Sequence, residues 1–181
     1  MKYNKYLSIS GLTLALCAMN SFALETDGKQ PIYIEADAAV YDEKKELTIY
    51  TGNVHYQQGS IESWSDRMEV YQKDGKTDKV INFGNPTRLK ETPEPDKADW
   101  HGLGLRSEYY PEIRLLILFD NAMAWQGVTP EKSDRVTSDR IEYDIEHSIM
   151  KAGVTIQSGE LAASGKRVHV TLEPAEVKEA K

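Results

Sequence analysis

The amino-acid sequence predicts an all-β protein built on an antiparallel sheet. From residue 32 onward, apolar side chains recur at every second position in short runs, as in Ile32, Ile34 and Ala36. This period of two is typical of half-buried strands. Dipeptides with turn chemistry, such as Asp74-Gly75, separate the runs, and parts of the chain repeat each other. No amphipathic helical window longer than two turns follows residue 23.

Residues 1–23 have the layout of a secretory signal peptide, which we expect to be cleaved. Lys2 and Lys5 give a positive start, residues 7–19 form an apolar run, and residues 21–23 fit a cleavage site. The alternative is a membrane anchor, but the run is short for a helix that must cross roughly 30 Å of hydrocarbon. The sequence therefore predicts an exported product.

Composition narrows the class of protein further. Cys17 is the only cysteine, so cleavage would leave no disulfide and no Cys-ligated metal, and stability must come from a packed core. The chain has 22 basic and 29 acidic residues, and losing Lys2 and Lys5 leaves 20 basic against 29 acidic, a net charge of −9. Such a surface argues against binding to nucleic acid or to anionic membranes.

The rest of the chain is expected to form one domain over residues 24–172. Period-two runs follow one another at residues 32–36, 47–49, 68–70, 141–145, 154–156 and 168–172. Residues 90–99, with two prolines and several charges, are expected to form a surface loop; a two-domain split there is the alternative. The charged tail, residues 173–181, is expected to be disordered.

An internal repeat runs through the predicted domain. Residues 51–54 (TGNV) and 119–122 (FDNA) correspond at an offset of 68, and residues 65–69 (SDRME) recur as 138–142 (SDRIE) at an offset of 73. Apolar positions are odd-numbered before Asn53 and Asn121 and even-numbered after them. This change from odd to even positions is a slip of one residue in the strand pattern. A bulge or corner there would absorb the slip and bend the sheet, which favours a folded-over jelly roll. The alternative is that each Asn is only a turn residue.

Several motifs in a fixed order resemble a known family. They are QPIYIEAD at 30–37, TGNV at 51–54, QGSI at 58–61, GNP at 84–86, NA at 121–122, SDRIEY at 138–143 and GKRV at 165–168. Together they resemble the LptA/OstA-like periplasmic lipopolysaccharide-transport proteins over nearly all of residues 24–172. The second copy departs from the family pattern, because Asp120 stands where glycine is usual.

The resemblance implies an open, V-shaped and slightly twisted antiparallel β-jelly roll of two facing sheets. It implies a periplasmic carrier that shields the acyl chains of lipid A and moves lipopolysaccharide from the inner to the outer membrane. The implied partners are an LptC-like inner-membrane protein, the N-terminal domain of an LptD-like outer-membrane protein, and further copies of the chain joined head to tail. The alternatives are an envelope scaffold without cargo, or a glycan-binding β-sandwich that uses Trp64, Trp100 and Trp125.

A carrier of this kind needs an apolar channel, because exposing a chain of about 12 carbons to water costs roughly 10 kcal/mol. The inward positions of the predicted strands supply candidate lining residues, although the same residues could simply pack against each other as a closed core. The lining candidates are Ile32, Ile34, Val54, Tyr56, Met68, Val70, Leu89, Tyr109, Leu115, Ile117, Phe119 and Tyr143.

Charged residues near strand ends could contact the phosphates of a lipid headgroup. The candidates are Arg67, Arg140, Lys166 and Arg167, and the alternative is that these are ordinary solvated surface charges.

The first predicted strand begins after Pro31, and the last one stops before Pro174. Neither strand contains a proline. Their free edges could therefore pair between identical molecules and build an open-ended rod.

The sequence predicts neither an enzyme nor a metal or cofactor site. The four histidines, His55, His101, His147 and His169, show no spacing typical of a metal site. A nucleophile elbow and a phosphate-binding loop are also missing from the sequence. Any energy for uphill transport would then have to come from a partner.

Overall fold

The computed structural model describes residues 27, 30–92, 96–157, 160–163 and 167–173, and these residues form β-strands joined by turns and two short 3-10 helices. The strands are β1 Ile32–Glu35, β2 Ala38–Asp42, β3 Leu47–Gln58, β4 Ile61–Lys73, β5 Lys76–Glu91, β6 Trp100–Tyr110, β7 Leu115–Gln126, β8 Arg135–Asp144, β9 Ile149–Ala152, β10 Val154–Gln157, β11 Glu160–Ala163 and β12 His169–Thr171. The 3-10 helices are Glu43–Lys45 and Pro130–Lys132.

Ten strands form one antiparallel sheet with the order β1-β3-β4-β5-β6-β7-β8-β12. The strands β2 and β9 complete it, because β2 pairs with the first half of β3 and β9 with the second half of β8. The strands β10 and β11 form a separate hairpin. The predicted all-β, antiparallel class is confirmed.

A line of bulges divides this sheet into two layers. The register shifts on neighbouring strands, between Thr51/Val54, Trp64/Arg67, Phe83/Thr87, Leu103/Arg106 and Phe119/Ala122. We call this line the crease. The half-strands on one side, with β1 and β12 at the edges, form layer A, and those on the other side, with β2 and β9, form layer B.

The two layers fold toward each other about the crease. Trp100 of layer A stacks on Tyr143 of layer B, with ring centroids 4.8 Å apart. Most of the buried apolar side chains come from the facing sides of the two layers. The predicted jelly roll of two facing sheets is therefore confirmed, and the long strands make it one continuous hydrogen-bonded sheet that bends at its bulges.

The repeated Asn positions build two of these bulges, as predicted. In β3, Gly52 and Asn53 have φ angles of 79° and 47°, and in β7, Asp120 and Asn121 have φ angles of 60° and 57°. The side chains of Asp and Asn tolerate this left-handed region better than those of other residues except glycine. Asp120 therefore replaces the usual glycine without loss of the bend.

We predicted that these bulges absorb a one-residue slip in the apolar pattern, and for β7 this is wrong, because its inward positions are even-numbered on both sides of the bulge. The residues that contact the core are even-numbered on both sides of the bulge in β7, with Leu116 and Leu118 before it and Ala122 and Ala124 after it. The odd-numbered apolar residues before the bulge lie on the other face of the strand. The apolar positions change from odd to even in the sequence because layer B carries apolar side chains on both of its faces.

One boundary differs from the prediction, and others stay predictions. Lys90 and Glu91 end β5 instead of opening a loop, and Glu91 is buried. The signal peptide 1–23 and residues 174–181 of the tail lie outside the described residues, so these assignments stay predictions. Among the described residues, helices long and apolar enough to cross a membrane are absent.

Candidate functional site

The space between the layers contains a strip of buried apolar residues, which we call the interior cluster. Its residues come from both layers, and the cluster runs across the strands from β3 to β8. Its members are Val54, Tyr56, Ile61, Met68, Val70, Val80, Leu89, Trp100, Tyr109, Leu116, Leu118, Ala122, Ala124, Ile141, Tyr143 and Ile145.

Two cavities lie at opposite ends of this strip. One of about 850 Å³ lies beside β1 and is bordered by Ile32, Gln58 and the β4–β5 turn. The other, about 440 Å³, lies beside β12 and is lined from layer A by Trp100 and Val136 and from layer B by Tyr143. The cavity beside β12 opens into the interior cluster, because Trp100, Ala124 and Tyr143 belong to both, whereas the residues that border the larger cavity lie outside the cluster.

Nine of the twelve predicted lining residues lie on this inner side. Seven belong to the interior cluster: Val54, Tyr56, Met68, Val70, Leu89, Tyr109 and Tyr143. Ile34 is half-buried and packs against the cluster, and Ile32 borders the larger cavity. The structure brings these residues together, and their contact with a lipid stays a prediction.

The inward orientation predicted for Leu115, Ile117 and Phe119 is wrong. Their neighbours Leu116 and Leu118 pair with Tyr143 and Ile141 in the interior cluster, so the odd-numbered side chains face outward. Because residues 115–119 are apolar throughout, the sequence pattern left the face of this strand undecided.

The outer face of layer B holds Ile117 and Phe119 in an ordered array, which we call the outer lattice. Arg67, Arg106 and Arg140 form one row with Phe83 and Phe119 between them, and Glu69, Glu108 and Glu142 form the next row with Ile81 and Ile117 between them. The guanidinium of Arg106 lies 3.7 Å from the centroid of the Phe119 ring. Each arginine also forms an ion pair with the glutamate of its own strand.

Two of the three arginines predicted to contact phosphates therefore have partners on the outer face. Arg67 binds Glu69 at 2.5 Å, and Arg140 pairs with Glu142. Arg167 is exposed just before β12, and Lys166 lies outside the described residues. Arg67 and Arg140 thus lie on the outer face and not at the groove, and phosphate contact stays a hypothesis.

Sequence reasoning missed several interior residues, chiefly Ile61, Val80, Trp100, Leu116, Leu118 and Ile141. A signal for some of them was present in the repeated Arg-x-Glu motif. Because Arg and Glu two residues apart share the outer face, the residue between them points inward. Met68, Ser107 and Ile141 occupy that position and are all buried.

Burial keeps the polar groups of the interior mostly uncharged. It raises the pKa of Tyr109 to about 12 and also raises the pKa of Tyr56, so both phenols stay neutral. Burial, reinforced by the nearby Asp27, raises the pKa of Glu91 to about 7, although Arg114 opposes the shift. The interior therefore suits an apolar ligand.

Buried polar side chains beside the crease satisfy one another. Asn82 Nδ2 donates to Ser107 Oγ at 3.3 Å, and Thr87 Oγ1 donates to the same oxygen at 3.2 Å. Ser65 Oγ donates to Asn82 Oδ1 at 3.2 Å. In the part of the chain that the structure describes, groups of three or more His, Cys, Asp or Glu that could hold a metal ion are absent.

Fold and site together define an open β-jelly roll with an apolar interior that opens to a cavity beside β12. The family model described as LptA/(LptD N-terminal domain) LPS transport protein matches residues 33–149. The chain belongs to this family.

Individual relatives agree with this assignment. The chain is 29% identical to the lipopolysaccharide export system protein LptH of Pseudomonas aeruginosa, over 92% of each chain. It is 28% identical to LptA of Haemophilus influenzae, over 98% of this chain and 96% of that one. The crystal structure of LptH, described as the LptA-homologous periplasmic component of the lipopolysaccharide transport device of Pseudomonas aeruginosa, superposes with a TM-score of 0.71 at 26% identity, covering 82% of this chain and 99% of that one.

Proposed function

We propose that the protein is a periplasmic, non-catalytic carrier that shields the acyl chains of lipopolysaccharide between the two membranes. The observation that carries this proposal is the apolar strip between the layers, with a cavity at each end. Relatives named as lipopolysaccharide export proteins over nearly the full chain length support it. Lipid A is the part of the cargo that the interior would receive.

Energetics explain why such a groove serves transport. Each methylene moved from water to an apolar surface gains about 0.8 kcal/mol, so several acyl chains supply a large driving force for binding. The carrier needs no chemistry of its own, because handing a lipid between similar grooves changes its surroundings little. The direction of flow then comes from energy that a partner supplies.

The terminal strands are proposed to join the carrier to its neighbours. Exposed large apolar side chains concentrate on the edges of the sheet, with Ile32, Tyr33, Val40 and Tyr41 at one end and Ile149, Val168, Val170 and Leu172 at the other. Pairing of one end with the other would connect copies head to tail and align their grooves. An LptC-like protein at one end and the N-terminal domain of an LptD-like protein at the other would complete the bridge.

Two neighbouring residues on β1 provide the test of lipid binding. Ile34 packs against the interior cluster, whereas Tyr33 is 64% exposed on the opposite face. A photoreactive amino acid at position 34 is expected to crosslink to lipopolysaccharide in cells, and the same group at position 33 is expected to crosslink weakly or not at all. Equal crosslinking at both positions, or none at position 34, would contradict binding between the layers.

A further inference from the structure

Among the residues that the structure describes, two buried polar atoms on the inner side of layer A have no hydrogen-bond partner. They are Oε2 of Glu91 and Nε1 of Trp100, whose residues are 2% and 4% exposed. Leaving a buried polar group unpaired costs about 1–3 kcal/mol, so two such atoms call for an explanation.

The two residues lie side by side. Glu91 ends β5, Trp100 begins β6, and the two are direct partners in the antiparallel register. Side chains at such positions are on the same face, with Cβ atoms about 4.5–5.5 Å apart. Both side chains are therefore held at one place on the inner side of layer A.

The surrounding residues hold the indole in position. Its ring stacks on Tyr143 at an interplanar angle of 10°. A Cβ on Gly102 would lie 2.9 Å from the Trp100 ring, so glycine at this inward position of β6 leaves the space that the indole fills. Trp100 and Tyr143 both line the 440 Å³ cavity beside β12.

Among the charged groups that the structure describes near Glu91, none donates a hydrogen bond to its Oε2. Asp27 is itself a carboxylate and accepts hydrogen bonds from the backbone and hydroxyl of Ser60. Asp99 adds a further negative charge, and Arg114 is the positive group that acts on Glu91 from the layer B side. Oε2 of Glu91 could therefore accept a hydrogen bond from a donor on a ligand.

A hydroxyl group matches this pair of atoms. It accepts a hydrogen bond from the indole N–H and donates one to the carboxylate, whereas a plain methylene leaves both atoms unpaired and an ester can only accept. We propose that Glu91 and Trp100 form a subsite that recognises a hydroxyl group carried on the alkyl chain of the bound lipid. This inference rests on the proposed carrier function and adds a chemical preference to it.

The test compares alkyl chains of one length with and without a hydroxyl group. Tetradecanoic acid and its 2-, 3- and 12-hydroxy derivatives are titrated into the protein by calorimetry. At least one hydroxylated chain is expected to bind about five- to tenfold more tightly than the plain chain, which is the gain from one or two net hydrogen bonds. Equal binding of all the chains would overturn the subsite and leave the carrier function standing, whereas no binding of any chain would overturn both.

Substitutions test whether Glu91 and Trp100 cause the preference for a hydroxylated chain. Glu91→Leu and Trp100→Phe are each expected to bring the ratio of the two affinities, hydroxylated over plain chain, to about one. Trp64→Phe is the matched control, because Trp64 stacks on His55 outside the groove and should keep the ratio of the unmodified protein. A ratio that survives in both groove variants would overturn the assignment. Thermal unfolding confirms that each variant is folded, and Glu91→Leu is expected to unfold at a higher temperature because it removes an unpaired buried carboxyl.

Discussion

At the scale of single residues, a few groups inside the sheet depart from the apolar rule of the interior. Glu91 is the clearest example, since it ends a strand that the sequence pattern placed in a loop and its carboxyl is buried. Burial of such a group disfavours its charged form, so its titration must be coupled to folding.

The pH dependence of stability tests this coupling. The pKa of Glu91 is raised from 4.5 to about 7 by burial and by Asp27, so between these values the folded protein binds more protons than the unfolded chain. The stabilisation is complete below about pH 4.5 and is lost as pH rises to about 7, by roughly 3 kcal/mol. Glu91→Gln does not titrate, so its stability relative to the unmodified protein should increase over this window.

Denaturant unfolding from pH 4.5 to 8 measures the difference between the two proteins. Glu43→Gln, at an exposed carboxyl, is the control and should run parallel to the unmodified protein. Parallel curves for Glu91→Gln as well would show that Glu91 does not titrate in this range.

At the scale of elements, each long strand contributes to both layers because a bulge bends it at the crease. The bulge in β3 depends on contacts with the β1–β2 corner. The backbone N–H of Asp37 donates to the carbonyl of Gly52 at 3.0 Å, and Asn53 Nδ2 donates to the Asp37 carboxylate at 2.9 Å. The Thr-Gly-Asn motif thus holds the β1–β2 corner against the crease through these hydrogen bonds.

Substitution of Gly52 should therefore be more damaging than substitution of another glycine with a similar backbone. A Cβ at Gly52 would lie 2.3 Å from an oxygen of Asp37, whereas a Cβ at Gly75 would meet nothing within 4 Å. Both have positive φ, 79° and 74°. Gly75→Ala is expected to lower the free energy of unfolding by about 1–2 kcal/mol and Gly52→Ala by about 2–4 kcal/mol. Equal losses in denaturant unfolding would contradict the role assigned to the Asp37 contact.

The outer lattice explains how a thin layer can be apolar on both faces. Phe119 is flanked by the guanidinium groups of Arg106 and Arg140, which come from the neighbouring strands β6 and β8. These cations cover the ring while their charges are balanced by glutamates. A charged residue at position 119 should for this reason disturb the sheet itself, instead of acting on lipid binding alone.

At the scale of the whole molecule, the sheet has two unlike ends and an apolar interior between them. The edge strands β1 and β12 lie at opposite ends of the strand order. Pairing between such unlike edges would be heterologous, and it would produce rods of variable length where the rotation between copies does not close a ring.

Association in solution tests this arrangement. The protein without residues 1–23 is expected to form concentration-dependent oligomers in size-exclusion chromatography with light scattering, and deletion of residues 168–181 is expected to leave monomers. Val170→Pro is the milder variant, because a proline on the exposed edge strand blocks pairing. Val128→Ser removes a side chain that is 93% exposed in the β7–β8 loop, outside the terminal strands themselves, and should associate normally. Monomers of the unmodified protein at high concentration would contradict the rod.

The sequence alone determined the all-β class, the bulges at Asn53 and Asn121, and the inward face of strands whose other face is polar. Tyr56 and Met68 were placed correctly, because polar or charged residues flank each of them and leave a single dry face. The family was also recognisable from motifs in order.

Tertiary structure alone decided the face of β7, the burial of Glu91 and the shape of the groove. A run such as residues 115–119 is apolar at every position, and only arginines from neighbouring strands make its odd-numbered face an outer surface. The distance between the layers likewise depends on contacts such as Trp100 on Tyr143, between residues that are far apart in the sequence. Local periodicity reports which residues share a face, and long-range packing determines what that face meets.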